Sequence, residues 1–362
     1  MLKDRKKNIV QSMSKNGFKT AVMFNPENVY YSTGFWGESV SVCTADNTKL
    51  FVPHLEVARA ETESHDCEVI QTQRGEGLIK SLYPSLSNTI ACSDCNDFKT
   101  ISTINSKIDK KNFVCDPDRF LIIRSIKDEE EINMIKRASQ ILDKLYQICT
   151  EEIKIGMSEK DLQSKLVCEA LKLDGSIPNY PFTLNPFIIG SGPNGAFPHA
   201  ETSERSFLEG DFIVIDLTIR YRGYISDATR TFALRNQTEE KKKIYETVKN
   251  AQKRGIDKAR SSVKCSDVDL ECRTFISESG YAEYFIHSTG HGVGLEVHER
   301  PWIRPEENSV LLDNMAITIE PGIYITTKFG VRIEDTIMIN NHARLGNEIL
   351  TKFTKDLITI DR

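Results

Sequence analysis

Two stretches of this sequence set carboxylates inside apolar, strand-forming runs, an arrangement that few folds tolerate. In the first, Asp216 follows Phe212-Ile213-Val214-Ile215, and Asp227 lies beyond Arg220-Tyr221-Arg222-Gly223. The patterning from Asp211 to Ile219 and from Tyr224 to Ala233 predicts two strands joined as a hairpin. A two-residue loop at Tyr221-Arg222, or a four-residue loop centred there, would put Asp216 directly opposite Asp227, with Cβ atoms about 4.5–5.5 Å apart. Facing carboxylates repel, and a bare charge in an apolar strand is costly. A bound cation removes both objections. A different register, with both carboxylates solvated, removes them as well.

The second stretch repeats the arrangement. Met315–Tyr324 and Gly330–Ile339 flank the loop Ile325–Phe329, and Glu320 follows Ala316-Ile317-Thr318-Ile319. A three- or five-residue loop centred on Thr327 would put Glu320 opposite Glu334. Four carboxylates converging on one sheet face call for something like two divalent ions, about 3.5–4 Å apart, a gap that bridging carboxylates span.

Of seven histidines, His287, His291 and His298 lie between the two hairpins, within Ile286–Glu299. His287 and His291 have the i, i+4 spacing of a helical zinc pair. Gly290, Gly292 and Gly294 oppose a helix, so the segment reads as a glycine-loosened strand that brings backbone close to a site. A single histidine is more often a surface or satisfied core residue. The clustering points to the site without making each histidine a ligand.

Three further motifs carry less. Gly190-Ser191-Gly192-Pro193-Asn194-Gly195 matches GxGxxG, but Pro193 and Pro198 preclude the helix that a dinucleotide fingerprint must open. It reads as a turn that delivers His199 towards the site. Cys92-Ser93-Asp94-Cys95 is a lone CxxC, weak ground for a redox role. Glu239-Glu240-Lys241-Lys242-Lys243 reads as the solvated face of a helix.

The chain divides near residue 124. Residues 1–124 alternate helical and strand patterns, which predicts an α/β domain. Residues 125–362 open with the acidic run Asp128-Glu129-Glu130-Glu131 and a long amphipathic helix carrying Ile132, Ile135, Ile141, Leu142, Leu145 and Ile148. Further helices begin at Ser158, with Leu162, Leu166, Ala170 and Leu171 as its buried face, at Thr238, and at Ser266 with Asp269, carrying Leu270 and Phe275. Two helix pairs, each followed by β-rich sequence, suggest a duplication without a residue-level repeat. The second domain is therefore predicted α+β, helices on one face of a mostly antiparallel sheet.

At 39% hydrophobic and 27% charged, the 362 residues have the composition of globular domains. The formal net charge of −5 argues against a nucleic-acid binder, which needs a basic patch. The chain has no long apolar stretch for a membrane span, and the charged N-terminus lacks the apolar core of a signal peptide. Nine cysteines without a framework predict free thiols in a reducing cytoplasm.

Five ordered motifs carry a resemblance: Val214-Ile215-Asp216, Gly223–Thr231, His287–Glu299, Thr318–Tyr324 and Val331–Thr336. They resemble the pita-bread-fold dinuclear metallopeptidases, which include methionine aminopeptidase, aminopeptidase P and prolidase. Asn25–Tyr31 and Thr33-Gly34-Phe35 resemble the creatinase-like N-terminal domain. The resemblance implies a creatinase-like α/β domain at 1–124 and a pita-bread catalytic domain with a curved, mostly antiparallel sheet at 125–362. It implies five metal ligands, Asp216, Asp227, His291, Glu320 and Glu334. Asp227 and Glu334 would bridge two ions, Asp216 would bind one, and His291 and Glu320 the other. Glu320 would also be general base. His199, His287 and His298 look like residues that hold substrate and shuttle protons, and Arg332 like the arginine that orients a site carboxylate or the substrate. Thr218 departs from the pattern, standing where the family usually has glycine two residues after the first aspartate.

The implied reaction is hydrolysis of an Xaa-Pro bond, with His298 supplying a proton to the proline nitrogen. The donor set suits manganese, with cobalt or zinc as alternatives. Two domains argue against methionine aminopeptidase, and an intact ligand set against creatinase, which uses no metal. The length and His298-Glu299-Arg300-Pro301 look more like prolidase, acting on Xaa-Pro dipeptides, than aminopeptidase P, acting on longer peptides with proline second. A non-catalytic binding module would be expected to have lost ligands. The resemblance further implies a homodimer, and the apolar loop Phe35-Trp36-Gly37 either lies near an active-site mouth or buries Trp36 in its own domain.

Overall fold

The computed structural model describes residues 2–180, 183–184, 187–340 and 346–362. Two compact units divide the chain, Met1–Arg124 and Ser125–Arg362.

The first unit is built on a six-stranded sheet. Its strands are β1 (Thr20–Met23), β2 (Val40–Cys43), β3 (Thr48–Pro53), β4 (Glu68–Thr72), β5 (Ala91–Ser93) and β6 (Phe113–Cys115), in the order β4-β3-β2-β1-β5-β6. The β1–β2 and β2–β3 pairs are antiparallel and the others parallel, the mixed sheet of an α/β layer. Asp94, just past β5, accepts from Phe24 N, Asn25 N and Asn28 Nδ2, tying the helix Pro26–Thr33 to the sheet. That helix stops at Gly34, whose φ of +77° is open to glycine without strain. Beyond it Phe35 is fully buried, and Trp36 is half-buried against Tyr30, with ring centroids 5.4 Å apart. Cys92 and Cys95 are buried free thiols, and burial pushes both up to about 11. Thiols held protonated are poor redox nucleophiles.

In the second unit, strands β7 (Phe187–Ser191), β8 (Phe212–Tyr221), β9 (Tyr224–Leu234) and the short β17 (Thr359–Ile360) form one sheet in the order β17-β9-β8-β7. Strands β10 (Gly290–Gly292), β11 (Glu299–Ile303), β12 (Ala316–Ile319), β15 (Asp335–Met338) and β16 (Glu348–Ile349) form a second, in the order β11-β10-β12-β15-β16. The hairpin of β13 (Gly322–Ile325) and β14 (Phe329–Arg332) stands apart.

Each helix pair packs on its own sheet. The helix Glu129–Glu152 is fixed by a capping box between Asp128 and Glu131, and Glu159–Lys172 by one between Ser158 and Asp161. Their residues Ile141, Leu142, Leu145, Leu162 and Leu166 share a core with Ile213, Ile215, Leu217 and Ile219, one face of β8. The helices Glu239–Lys258 and Cys265–Glu278 bring Ile244, Val248, Ala251, Val268 and Cys272 against Ile317, Ile319, Ile323, Val331 and Ile337. Burying Ile, Val and Leu on one face leaves the opposite face of β8 and β9 to carry the polar residues. One expected core position is corrected: Leu171 is 61% exposed, one step off its helix's apolar stripe. Nor does Ser266 cap its helix, which begins at Cys265 after Lys264. Asp269 instead turns inward, accepting from Thr289 N and Oγ1 and pairing with Arg273.

The hairpin registers explain the placement of the acidic residues. Arg222 and Gly223, with φ of +45° and +88°, form the two-residue turn between β8 and β9. This is one position later than expected, because a left-handed turn recruits the glycine. Asp216 therefore faces Thr229, and Asp227 faces Thr218. The two aspartates are diagonal neighbours on one face rather than opposite each other. In the second hairpin the turn is centred on Thr327, and Gly322 pairs with Arg332 while Ile319 pairs with Asp335. The ladder breaks between these pairs, at Glu320 and Glu334, and Glu334 instead bridges to Thr229 of β9. That break joins the sheets at the acidic cluster.

A buried glutamate that sequence reasoning missed fixes the GxGxxG turn. The Glu159 carboxylate, fully buried, accepts from Ser191 N and Oγ, Asn194 Nδ2, and Ser203 N and Oγ. Each hydrogen bond to a charged acceptor is worth about 1.5–3 kcal/mol. Together they pin both ends of the segment that contains His199. Gly330 packs so closely on Gly195 that a Cβ there would collide with its carbonyl. The glycines serve backbone packing, and a 3₁₀ turn, Gly192–Ala196, occupies the place where a dinucleotide site would need a helix.

Candidate metal centre

The break between sheets opens a cavity of about 500 Å³. Asp216, Thr218 and Asp227 line it from β8 and β9, His291 from β10, Glu320 from the end of β12, and Arg332 and Glu334 from the chain that follows β13. His199, His287 and His298 also line it, so the structure brings together every site residue singled out from the sequence.

Asp227, His291 and Glu334 form the tightest group, each offering a ligand atom within 4.8 Å of the others. Glu320 joins through Oε1, 3.3 Å from His291 Nε2. Asp216 stands beside them, held by Arg332 Nη2 on Oδ2 at 2.5 Å. Threonines hold three of the carboxylates: Thr218 Oγ1 donates to Asp227 Oδ1 at 3.0 Å, Thr229 Oγ1 to Glu334 Oε2 at 2.7 Å, and Thr318 Oγ1 to Glu320 Oε1 at 3.4 Å. His291 Nδ1 lies 3.0 Å from Gly292 O. That bond assigns the proton to Nδ1 and leaves the Nε2 lone pair facing the carboxylates. Gly290, next to it, allows this approach, since a Cβ there would collide with the Thr318 carbonyl.

The electrostatics are those of a cation site. Burial holds the Asp227 and Glu334 carboxyls well above the usual range, and each neighbouring carboxylate adds to the effect. Glu320 is pushed up to about 7 by burial and by Asp216, against Arg332. Burial pulls His291 down to about 4, leaving it a neutral donor. Asp216 Oδ1 is buried without a hydrogen-bond partner among the described residues. An orphaned carboxylate oxygen, three more carboxylates and an unprotonated imidazole nitrogen fit hard to borderline divalent cations.

The other histidines differ from one another. His287 is closed off, with Nδ1 2.7 Å from Ser288 O and Nε2 2.9 Å from Tyr324 Oη, which also accepts from Arg332 Nη1. His298 stacks on Tyr180 at 4.7 Å and lies 4.0 Å from the His291 ring, centroid to centroid, and its Nδ1 is buried without a hydrogen-bond partner among the described residues. Its loop is anchored by the buried Glu299, which accepts from Leu295 N and Glu296 N and pairs with Lys127. His199 is exposed on the cavity wall and makes no hydrogen bond among the described residues. Tyr180 and Tyr324 were missed. Tyr324 lies inside a motif that marked its neighbours, and nothing in the local sequence marks Tyr180.

Arg332 is nearly saturated. Nε donates to Thr229 Oγ1, Nη1 to Pro198 O and Tyr324 Oη, and Nη2 to Asp216. Of the two roles left open for it, orienting a site carboxylate is the one with geometry behind it.

Comparisons with known proteins give the family. Residues 133–341 match Metallopeptidase family M24, and residues 5–117 match the Creatinase/Prolidase N-terminal domain. The chain is 36% identical over 361 residues to an Xaa-Pro dipeptidase of Pyrococcus furiosus, covering 99% of this chain and 100% of that one. Among solved structures, the prolidase of Pyrococcus horikoshii superposes with a TM-score of 0.89 at 35% identity, over 98% of this chain and 100% of that one. An X-Pro aminopeptidase of Thermotoga maritima does so with 0.87 at 30% identity, over 98% and 99%.

Proposed function

The chain belongs to metallopeptidase family M24, a creatinase-like N-terminal domain followed by a pita-bread catalytic domain, and from that membership we propose that it is a prolidase, hydrolysing Xaa-Pro dipeptides. The observation that carries this reading is the convergence of Asp216, Asp227, His291, Glu320 and Glu334 at one cavity, in a chain matched end to end by an Xaa-Pro dipeptidase.

Family membership implies divalent metal. We propose two ions, with manganese preferred and cobalt or zinc accepted, held by the five residues above, Asp227 and Glu334 between the two. When bound, such ions polarise the scissile carbonyl and acidify water.

The protein groups do the rest. Glu320, its carboxylate on the cavity wall beside His291, takes a proton from water on Oε1 or Oε2 and hands it to the proline nitrogen as the amide breaks. His298 has no carboxylate partner to hold an imidazolium among the described residues, and it is half-buried against Tyr180 and His291. It is therefore assigned to orienting the substrate, and the proton delivery expected of it passes to Glu320. His199, whose ring nitrogens make no hydrogen bond among the described residues, lies on the cavity wall and is the group left to receive the carboxylate of proline. His287 acts through Tyr324 and Arg332.

An assay with manganese, comparing an Xaa-Pro dipeptide with the corresponding Xaa-Pro-Yaa tripeptide, tests the reading. The dipeptide should be cleaved with a kcat/KM at least about tenfold higher, the margin that one well-placed polar contact gives. Equal or faster cleavage of the tripeptide would make the chain an aminopeptidase P and leave the metal-site assignment intact. Turnover of neither substrate with any of the three metals would favour a binding module.

The proposal extends to a homodimer in the cytoplasm. All nine cysteines are free thiols, which fits a reducing compartment, and no helix of the described residues is long and apolar enough to cross a membrane. Light scattering at micromolar concentration should give twice the 41.1 kDa chain mass. A monomer there would reject the dimer.

A further inference from the structure

The β8–β9 register puts Thr218 directly across from Asp227, on the face that carries the acidic cluster. Thr218 is buried, lines the cavity, and donates from Oγ1 to Asp227 Oδ1 at 3.0 Å. The two other threonines of the cluster divide their hydroxyls: Thr229 also accepts from Arg332 Nε, and Thr318 from His291 N. Among the described residues, the Thr218 hydroxyl serves Asp227 alone. Its bond is also the only side-chain hydrogen bond that Asp227 makes among the described residues. The Asp227 backbone is fixed separately, with N donating to Thr336 Oγ1 and O accepting from it.

We propose that Thr218 is a positioning residue that sets the affinity of the cluster for its cations by fixing the rotation of the Asp227 carboxylate. The proposal rests on the metal reading above. The terminal torsion of an aspartate is broad, so a fixed backbone does not by itself fix the plane of the two oxygens. Asp227 has ligand atoms of His291 and Glu334 within 4.8 Å and Asp216 as its diagonal neighbour across the hairpin, and a carboxylate that is to serve two cations needs the plane of its oxygens aimed at both. One hydrogen bond on Oδ1 sets that plane and leaves Oδ2 and the remaining Oδ1 lone pair unused. Without the hydroxyl, the carboxylate rotates more freely, and binding must supply the ordering. Groups that orient ligands in this way are worth about 10–100-fold in metal affinity.

The test compares wild type with Thr218→Ser, which keeps the donor, Thr218→Val, which keeps the branched shape without it, and Thr218→Ala, which stands in if the valine variant fails to fold. Mn2+ is titrated calorimetrically into full-length, chelator-treated protein, and the Tm of each chelated protein is recorded. Wild type and T218S should bind with Kd values within about threefold of each other. T218V or T218A should lose about 10–100-fold in Kd for at least one equivalent, with the chelated Tm within about 2 °C of wild type. Wild-type affinity in the variants lacking the hydroxyl overturns the proposal. So does an affinity loss matched by a lower chelated Tm in both, which would mark Thr218 as packing. If wild type binds no Mn2+, the metal reading itself falls.

Discussion

Glu334→Ala should reduce kcat/KM on an Xaa-Pro dipeptide by at least about 10³-fold and leave purified protein with less than one equivalent of metal. The size of the effect follows from where Glu334 sits. It lies where the β12–β15 ladder breaks, bonds back to β9 through its own N–H to Thr229 O, and shares the tightest group with Asp227 and His291. Removing it takes away a carboxylate assigned to both ions. Glu334→Gln separates this role from a structural one. The glutamine keeps an oxygen for Thr229 Oγ1 but carries no charge. In chelated protein it removes an acid whose ionisation burial and the neighbouring carboxylates oppose, so its Tm should equal or exceed that of chelated wild type. With manganese the order should reverse, because wild type alone gains the full stabilisation of a bound ligand. Thermal melts with and without chelator, with metal content by mass spectrometry, read both. If Glu334→Gln keeps full metal content and activity, Glu334 is a structural carboxylate.

The sequence carries the local half of this arrangement. An acid following a mostly apolar, strand-forming run, as at Asp216 and Glu320, announces a buried charge, and glycine alternation through Gly290 and Gly292 announces close backbone approach. The turn at Thr327 is where acid spacing puts it. The first hairpin was misplaced by one position although its signal was present, since Gly223 belongs inside a left-handed turn. That single step exchanges an Asp–Asp pair for Asp216–Thr229 and Thr218–Asp227, and so gives Thr218 a role. What local sequence cannot show is which distant partner each polar group finds. The Glu334–Thr229 bridge spans two sheets, Glu159 gathers Ser191, Asn194 and Ser203 from separate segments, and Tyr180 meets His298 only in three dimensions. These contacts follow from packing whole elements, for which no periodicity in the chain is a marker.

Arg332→Lys should lower kcat about 10²-fold on dipeptide and tripeptide alike, with KM for each within about threefold of wild type. From sequence, Arg332 was equally a candidate for gripping the substrate carboxylate, and the same variant would then raise the dipeptide KM selectively. The geometry separates the two. Arg332 is 2% exposed and spends Nε, both Nη1 donors and one Nη2 donor on Thr229, Pro198, Tyr324 and Asp216. It thereby aims the Asp216 carboxylate, holds the hydroxyl that meets His287, steadies the threonine bound to Glu334, and fixes the backbone just before His199. A lysine ammonium is a point charge with three donors and cannot span partners on four sides of a planar fork. The loss therefore falls on the arrangement of reacting groups, which both substrates share, and appears in kcat. His199→Ala, by contrast, removes a ring that meets Tyr180 edge-on, 6.3 Å between centroids, and makes no hydrogen bond among the described residues, and should raise the dipeptide KM about tenfold while leaving the tripeptide nearly unchanged. Measuring kcat and KM for both variants on both substrates decides the assignment. A dipeptide-selective rise in KM for Arg332→Lys, with His199→Ala silent, would return the carboxylate to the guanidinium.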